Sequence, residues 1–121
     1  MSFRFNHFNF NVLDLERSLK FYDEALGLKP VREKDMNNAH LVFVGDGQTG
    51  FTLELTGLFD RTAPYDLGEG EFHLALESDD IDADYARHKA MGIVCQEQKK
   101  PGGFYFIEDP DGYWIEIIHK R

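Results

Sequence analysis

The sequence predicts an α+β fold made of two tandem βαβββ modules, and three patterns carry that expectation. Runs of alternating apolar and polar residues, the mark of strands with one covered face, recur along the chain. Two segments show helical periodicity between a capping side chain and a terminating glycine. The second half also restarts the order of the first: Ala25-Leu26-Gly27-Leu28 is matched by Ala90-Met91-Gly92-Ile93, and Leu53-Glu54-Leu55 by Ile115-Glu116-Ile117. One domain over residues 1–121 is expected, with module one at about 3–57, a linker at about 58–70 and module two at about 71–119.

In the first module, FRFNHFNFNV from Phe3 to Val12 alternates, so Phe8, Phe10 and Val12 share one strand face and His7, Asn9 and Asn11 the other. Asp14 is a good N-cap for LERSLKFYDEAL, in which Leu15, Leu19, Tyr22 and Leu26 fall at helical spacing before Gly27 stops the helix. Three strands follow at Lys29 to Glu33, Ala39 to Gly45 and Gly50 to Thr56, separated by the turn-prone Met36-Asn37-Asn38 and Gly45-Asp46-Gly47. The stretch Leu58 to Gly70, rich in Asp and Gly, reads as the linker.

The second module opens on EFHLALE, which sets Phe72, Leu74 and Leu76 opposite Glu71, His73, Ala75 and Glu77. Ser78 or Asp79 is expected to cap the helix DIDADYARHKAM, which places Ile81, Tyr85, His88 and Met91 near one stripe and ends at Gly92. Strands at Ile93 to Gln96, Phe104 to Ile107 and Tyr113 to Ile118 complete it. The last two flank Asp109-Pro110-Asp111-Gly112, a strong hairpin signal. Asp109 and Asp111 are accounted for by that turn, since two turn aspartates without further oxygen ligands do not make a calcium site.

Composition narrows the partners. The chain has 13 Lys and Arg against 22 Asp and Glu, a formal net charge of −9, which opposes binding to nucleic acid or to anionic membranes and favours a small-molecule partner. No run of about eighteen apolar residues exists, and the alternating N-terminus lacks the apolar core of a signal peptide, so a cytoplasmic protein is expected. The single Cys95 excludes an intramolecular disulfide and any cysteine-rich zinc site, and it reads as a small buried hydrophobe.

The repeat also singles out a set of polar residues. In each module a His lies midway along the first strand and a Glu midway along the last, giving His7 and Glu54, then His73 and Glu116. Any one of them alone is most simply an open-face polar residue. Their recurrence at equivalent positions makes chance the weaker explanation. Two imidazoles and two carboxylates on strands suit a borderline divalent metal such as Ni, Co, Zn, Mn or Fe. His40, His88 and His119 have no counterpart in the repeat and are expected to be structural or exposed.

FNHFNFNVLDLERSLKFYDEALGL, FTLEL, EFHLAL and EDPDGYWIEII together resemble the vicinal oxygen chelate superfamily, specifically glyoxalase I, the lactoylglutathione lyases, over about Phe5 to Ile118. The order His, Glu, His, Glu resembles the glyoxalase metal set. The superfamily's ring-cleaving dioxygenases use two His and one Glu, so Glu54 discriminates. The resemblance implies that the modules form a curved half-barrel sheet around one divalent metal ion per site, with Ni or Co favoured and Zn possible. It implies a homodimer in which His7 and Glu54 meet His73 and Glu116 of the partner subunit. It further implies proton transfer next to a carbonyl, with Glu116 as the base and Glu54 as the second catalytic carboxylate, and a role in methylglyoxal detoxification.

Two positions depart from the glutathione-using members, which usually carry an Arg four residues after the first His and an Asn four after the first Glu. Here those positions are Asn11 and Leu58. Asn cannot replace the bidentate carboxylate clamp of Arg, so Asn11 is expected to contact the substrate differently and glutathione to be a poor thiol. Lys100, next to Lys99, is a candidate source of compensating charge. The rival readings are another vicinal oxygen chelate enzyme, an acyl-thioester epimerase or thiol transferase; a metal-free small-molecule-binding resistance protein; and a ring-cleaving dioxygenase, for which Glu54 would be an extra ligand.

Overall fold

A computed structural model describes residues 1–121. The chain separates into two compact units, Met1–Tyr65 and Asp66–Arg121, each a four-stranded sheet carrying one helix. The boundary falls inside the stretch expected to be a linker.

The first unit runs β1 (His7–Val12), α1 (Leu15–Leu26), β2 (Lys29–Asp35), β3 (Ala39–Gly45) and β4 (Thr52–Leu58). Its sheet has the order β1-β4-β3-β2, antiparallel except where β1 runs parallel to β4. A parallel neighbour requires a crossover, and α1 supplies it. The Asp14 carboxylate accepts from Arg17 N at 3.1 Å, and Gly27 closes the helix in the left-handed region at φ 67°. The helix covers the face carrying Phe10, Val12, Leu53 and Leu55, all at most 2% exposed. Its own buried stripe is Ser18, Tyr22 and Ala25, while Leu15, Leu19 and Leu26 sit at its margins.

The second unit repeats the plan with β5 (His73–Ser78), α2 (Ile81–Ala90), β6 (Val94–Gln96), β7 (Tyr105–Glu108) and β8 (Trp114–His119), in the order β5-β8-β7-β6 with β5 parallel to β8. Tyr105, Ile107, Ile115 and Ile117 form the helix-covered face. The hairpin at 109–112 forms as expected. Asp109 is 4% exposed, and its Oδ1 accepts from the backbone N–H groups of Asp111 and Tyr113, both at 2.9 Å. Gly112 takes φ 95°, a conformation that only glycine adopts without strain.

Several boundaries differ from the sequence expectation. The first strand begins at His7, not Phe3, because β4 starts at Thr52 and the last ladder bond is Thr52 N–H to Asn6 O at 3.1 Å. Beyond it Phe3 and Phe5 are 87% and 92% exposed. The N-cap of α2 is Asp80, whose carboxylate accepts from Ala83 N. Ser78 instead takes the Asp80 N–H on its Oγ and donates to Asp84. Met91, expected on the buried stripe, is exposed.

Cys95 is exposed as well. It falls at the register shift between Val94 and Gln96 on an edge strand, where the ladder no longer turns it inward. Partial burial and the nearby Glu108 raise its thiol pKa.

Candidate functional site

In each unit the sheet face opposite the helix brings one His and one Glu together. In the first unit β1 and β4 run in register with Asn9 opposite Glu54, and Phe43 of β3 lies opposite Glu54 on the other side. His7 Nε2 comes within 3.6 Å of Glu54 Oε1, and the imidazole stands edge-on to the Phe43 ring at 5.5 Å. The second unit reproduces the arrangement. His73 Nε2 is 3.2 Å from Glu116 Oε1, and its ring stands edge-on to Phe106 at 4.9 Å, with Phe106 paired to Glu116 across the ladder.

The far nitrogen of each ring is already engaged. His7 Nδ1 donates to Asn6 Oδ1 at 2.6 Å, and His73 Nδ1 donates to the Glu71 carbonyl at 3.2 Å. Those bonds assign the tautomer and leave a lone pair on each Nε2 facing a carboxylate oxygen. Two acceptors facing each other are unfavourable unless a cation lies between them, either a proton on the imidazole or a metal ion. Nδ1 bonding to a carbonyl-type oxygen is also how metal-bound imidazoles are oriented. The donor chemistry of each pair thus fits a divalent metal. Neither unit gathers three or more His, Cys, Asp or Glu side chains by itself.

The surroundings of the two pairs differ. Around Glu54 the face is polar, with Asn9, Asn11, Thr52 and Thr56 alongside it. Oriented by its neighbours, the Asn9 amide turns its nitrogen to Glu54 Oε1 at 3.3 Å and to Thr56 Oγ1 at 2.6 Å. Opposite Glu116 the equivalent residue is Ala75, which offers no such donor. Aromatic rings surround Glu116 instead: Phe106 packs on Trp114 with centroids 5.4 Å apart, and the half-exposed Phe104 continues the row at 6.1 Å.

Asn11 lies on the His7 face of β1, next to Asn9 and opposite Thr56. Leu58 ends β4 opposite Ala39, away from Glu54 along the strand. Lys100 is not among the side chains gathered at His73 and Glu116. It sits exposed in the turn between β6 and β7, where its carbonyl accepts from Gly103 N at 3.0 Å.

The remaining histidines are used within the fold or at its surface. His88 is 1% exposed; Arg87 can only donate to its Nε2, so His88 Nδ1 donates to Tyr105 Oη at 2.7 Å. His40 lies between Asp35 and Glu33 on the helix-side face, and His119 is exposed.

Phe43, Phe106 and Asn9 were not legible as site residues from local sequence. A Phe in an apolar run reads as core, and only comparing the third strands of the two modules equates Phe43 with Phe106.

The Glyoxalase/Bleomycin resistance protein/Dioxygenase superfamily model matches residues 4–117. A lactoylglutathione lyase of Neisseria meningitidis is 42% identical, in an alignment spanning 98% of this chain and 91% of that protein. Among solved structures, the trypanothione-dependent glyoxalase I of Leishmania major superposes with a TM-score of 0.85 at 34% identity, covering 98% of this chain and 87% of that one. An antibiotic binding protein from Streptomyces sp. CB03234 superposes with a TM-score of 0.77 at 25% identity, covering 99% and 98%. With the duplicated βαβββ plan and a His–Glu pair in each unit, these likenesses lead to one conclusion: the chain belongs to the glyoxalase/bleomycin resistance protein/dioxygenase superfamily, and within it to the glyoxalase I-like enzymes.

Proposed function

We propose that the chain is a metal-dependent lyase that converts the hemithioacetal of a 2-oxoaldehyde into a 2-hydroxyacyl thioester. The observation that carries this reading is the pair of His–Glu contacts at 3.6 and 3.2 Å, each with Nε2 turned to the carboxylate and Nδ1 already engaged. Two imidazole nitrogens and two carboxylates would hold one divalent ion per site, with Ni or Co favoured and Zn possible on the family resemblance. His7 and Glu54 of one subunit and His73 and Glu116 of the partner subunit are the residues assigned to it, in a homodimer with shared sites.

When bound, the ion supplies Lewis-acid polarisation of the oxygens on the two reacting carbons. Glu116 accepts the proton that leaves the hemithioacetal carbon, and the electron pair left behind forms the carbon–carbon double bond of an enediolate. Glu54 then returns a proton to the neighbouring carbon, so the reaction is a net internal redox shift that needs no outside oxidant. The assignment of Glu116 as base is supported by its setting: Asn9 donates to Glu54, whereas Ala75 offers Glu116 no such bond and leaves it His73 alone as a hydrogen-bond partner. Phe106 and Trp114 set apolar rings beside it.

The thiol is expected to differ from glutathione, because Asn11 and Leu58 stand where the glutathione-using members usually carry Arg and Asn. The likeness to a trypanothione-dependent glyoxalase I is consistent with a thiol that varies among similar proteins. Protein loaded with Ni or Co, assayed on methylglyoxal hemithioacetals of glutathione and of other small thiols, tests the reading. At least one adduct should turn over, and Glu116→Gln should lower kcat by roughly 10²- to 10⁴-fold. No turnover of any adduct at full metal loading would contradict it. The aromatic row Phe104, Phe106 and Trp114, with the likeness to an antibiotic binding protein, favours as second reading a small-molecule-binding module. In that case flat aromatic compounds bind equally well with and without metal.

A further inference from the structure

We infer that Asn9 is a positioning residue for the candidate metal centre, orienting Glu54 as a ligand and making the two glutamates unequal, a role that rests on the lyase reading and its ligand assignment. Asn9 and Glu54 are direct partners in the ladder between β1 and β4, on the sheet face opposite the helix. The Asn9 side-chain nitrogen lies 2.6 Å from Thr56 Oγ1, 3.2 Å from the Glu54 carbonyl and 3.3 Å from Glu54 Oε1. The carbonyl end of the same amide meets the Asn11 side chain at 2.8 Å. With two N–H groups, the amide gives one to Thr56 and turns the other to the Glu54 oxygens. Anchored at both ends, it has one orientation to offer Glu54.

Glu54 Oε1 is also the oxygen that faces His7 Nε2 at 3.6 Å. A carboxylate oxygen has two lone pairs, so the bond from Asn9 takes one and leaves the other for the imidazole side. A glutamate oriented in this way has already given up rotamer freedom that binding an ion would otherwise remove. The second unit is the molecule's own comparison. There β5 and β8 pair in the equivalent parallel register with Ala75 directly opposite Glu116, so the sheet forms without an amide at that place. Glu116 has His73 Nε2 at 3.2 Å and no donor side chain opposite it on β5. Its side chain is also the more exposed, 21% against 13% for Glu54. One carboxylate is oriented by its neighbour strand and the other is not, which suits a site where one stays a ligand while the other carries a proton.

The test is calorimetric titration of metal-free protein with Ni, using wild type, Asn9→Ala, Thr56→Val and the double variant, with unfolding midpoints of the metal-free proteins measured alongside. Asn9→Ala should bind Ni roughly 10- to 100-fold more weakly, the usual effect of losing an outer partner of a ligand. Its metal-free unfolding midpoint should stay close to that of wild type, since Asn9 is exposed. Thr56→Val should reproduce part of the loss, and the double variant should bind no more weakly than Asn9→Ala, because Thr56 acts through the amide it anchors. Equal Ni affinity in wild type and Asn9→Ala, fully additive losses, or a loss of affinity matched by a large fall in the metal-free midpoint would overturn the inference. If the affinity pattern holds while no hemithioacetal is turned over, the lyase reading fails and the positioning role of Asn9 stands.

Discussion

Asn11 stands on β1, at one edge of the first sheet and on the face that carries His7 and Glu54. Supplying a guanidinium at the β1 edge through Asn11→Arg should raise kcat/KM for the methylglyoxal–glutathione adduct. The gain expected from one charge-assisted clamp is on the order of 1.5–3 kcal/mol, roughly one to two decades. Efficient wild-type turnover of that adduct, with no gain in the variant, would mean that other residues already grip glutathione. A second residue-scale prediction concerns His40. Hydrogen bonds to Asp35 and then to Glu33 raise its pKa above the ordinary value, against a smaller opposing effect of partial burial. The protonated imidazole is therefore favoured in the folded state. Its contribution is fully present below about pH 6.5 and is lost as pH climbs through the raised folded-state value. Above about pH 6.5, denaturation midpoints of wild type should fall more steeply with rising pH than those of Asp35→Asn. Parallel curves would remove His40 from the account.

At the scale of elements, the helix of the first unit is held against its sheet by a close approach at Gly57. A Cβ there would lie 3.3 Å from Leu15 Cβ, inside ordinary contact distance. Gly57→Ala should push α1 from β4 and lower stability by about 1–3 kcal/mol, read from denaturant unfolding. A neutral effect would mean that the helix shifts freely. The elements themselves were legible because alternation and helical spacing are local: Phe10 and Val12 inside, His7 and Asn9 outside, and Asp14 and Gly27 at the ends of α1. Their exact limits were not, because a strand ends where its neighbour ends. FRFNHF alternates from Phe3 onward, yet β4 has no residue to pair with Phe3 or Phe5. The exposed Cys95 has the same cause, a bulge set by the pairing with β7. The pairs His7 with Glu54 and His73 with Glu116 were legible because duplication repeats them. Asn9 was hidden by the same logic, since its counterpart in the second unit is Ala75.

For the whole molecule, duplication has left two units alike in backbone and unlike in chemistry: a polar face with Asn9, Thr56 and Arg32 in one, an aromatic face with Phe104, Phe106 and Trp114 in the other. Each unit provides half of the proposed ligand set, so the shared site can be examined by mixing inactive His7→Ala and inactive Glu116→Ala chains. A heterodimer would then carry one doubly damaged and one intact site, and activity should partly return. No recovery despite confirmed subunit exchange would place the whole ligand set within one chain.

The central claim, that His7, Glu54, His73 and Glu116 together bind a divalent metal, is tested most directly by elemental analysis of the purified protein beside its His73→Ala variant after equilibration with Ni or Co. Wild type should hold about one ion per proposed site and the variant far less, since a lost ligand removes most of the affinity. The same small, sub-stoichiometric metal content in both proteins would contradict the account.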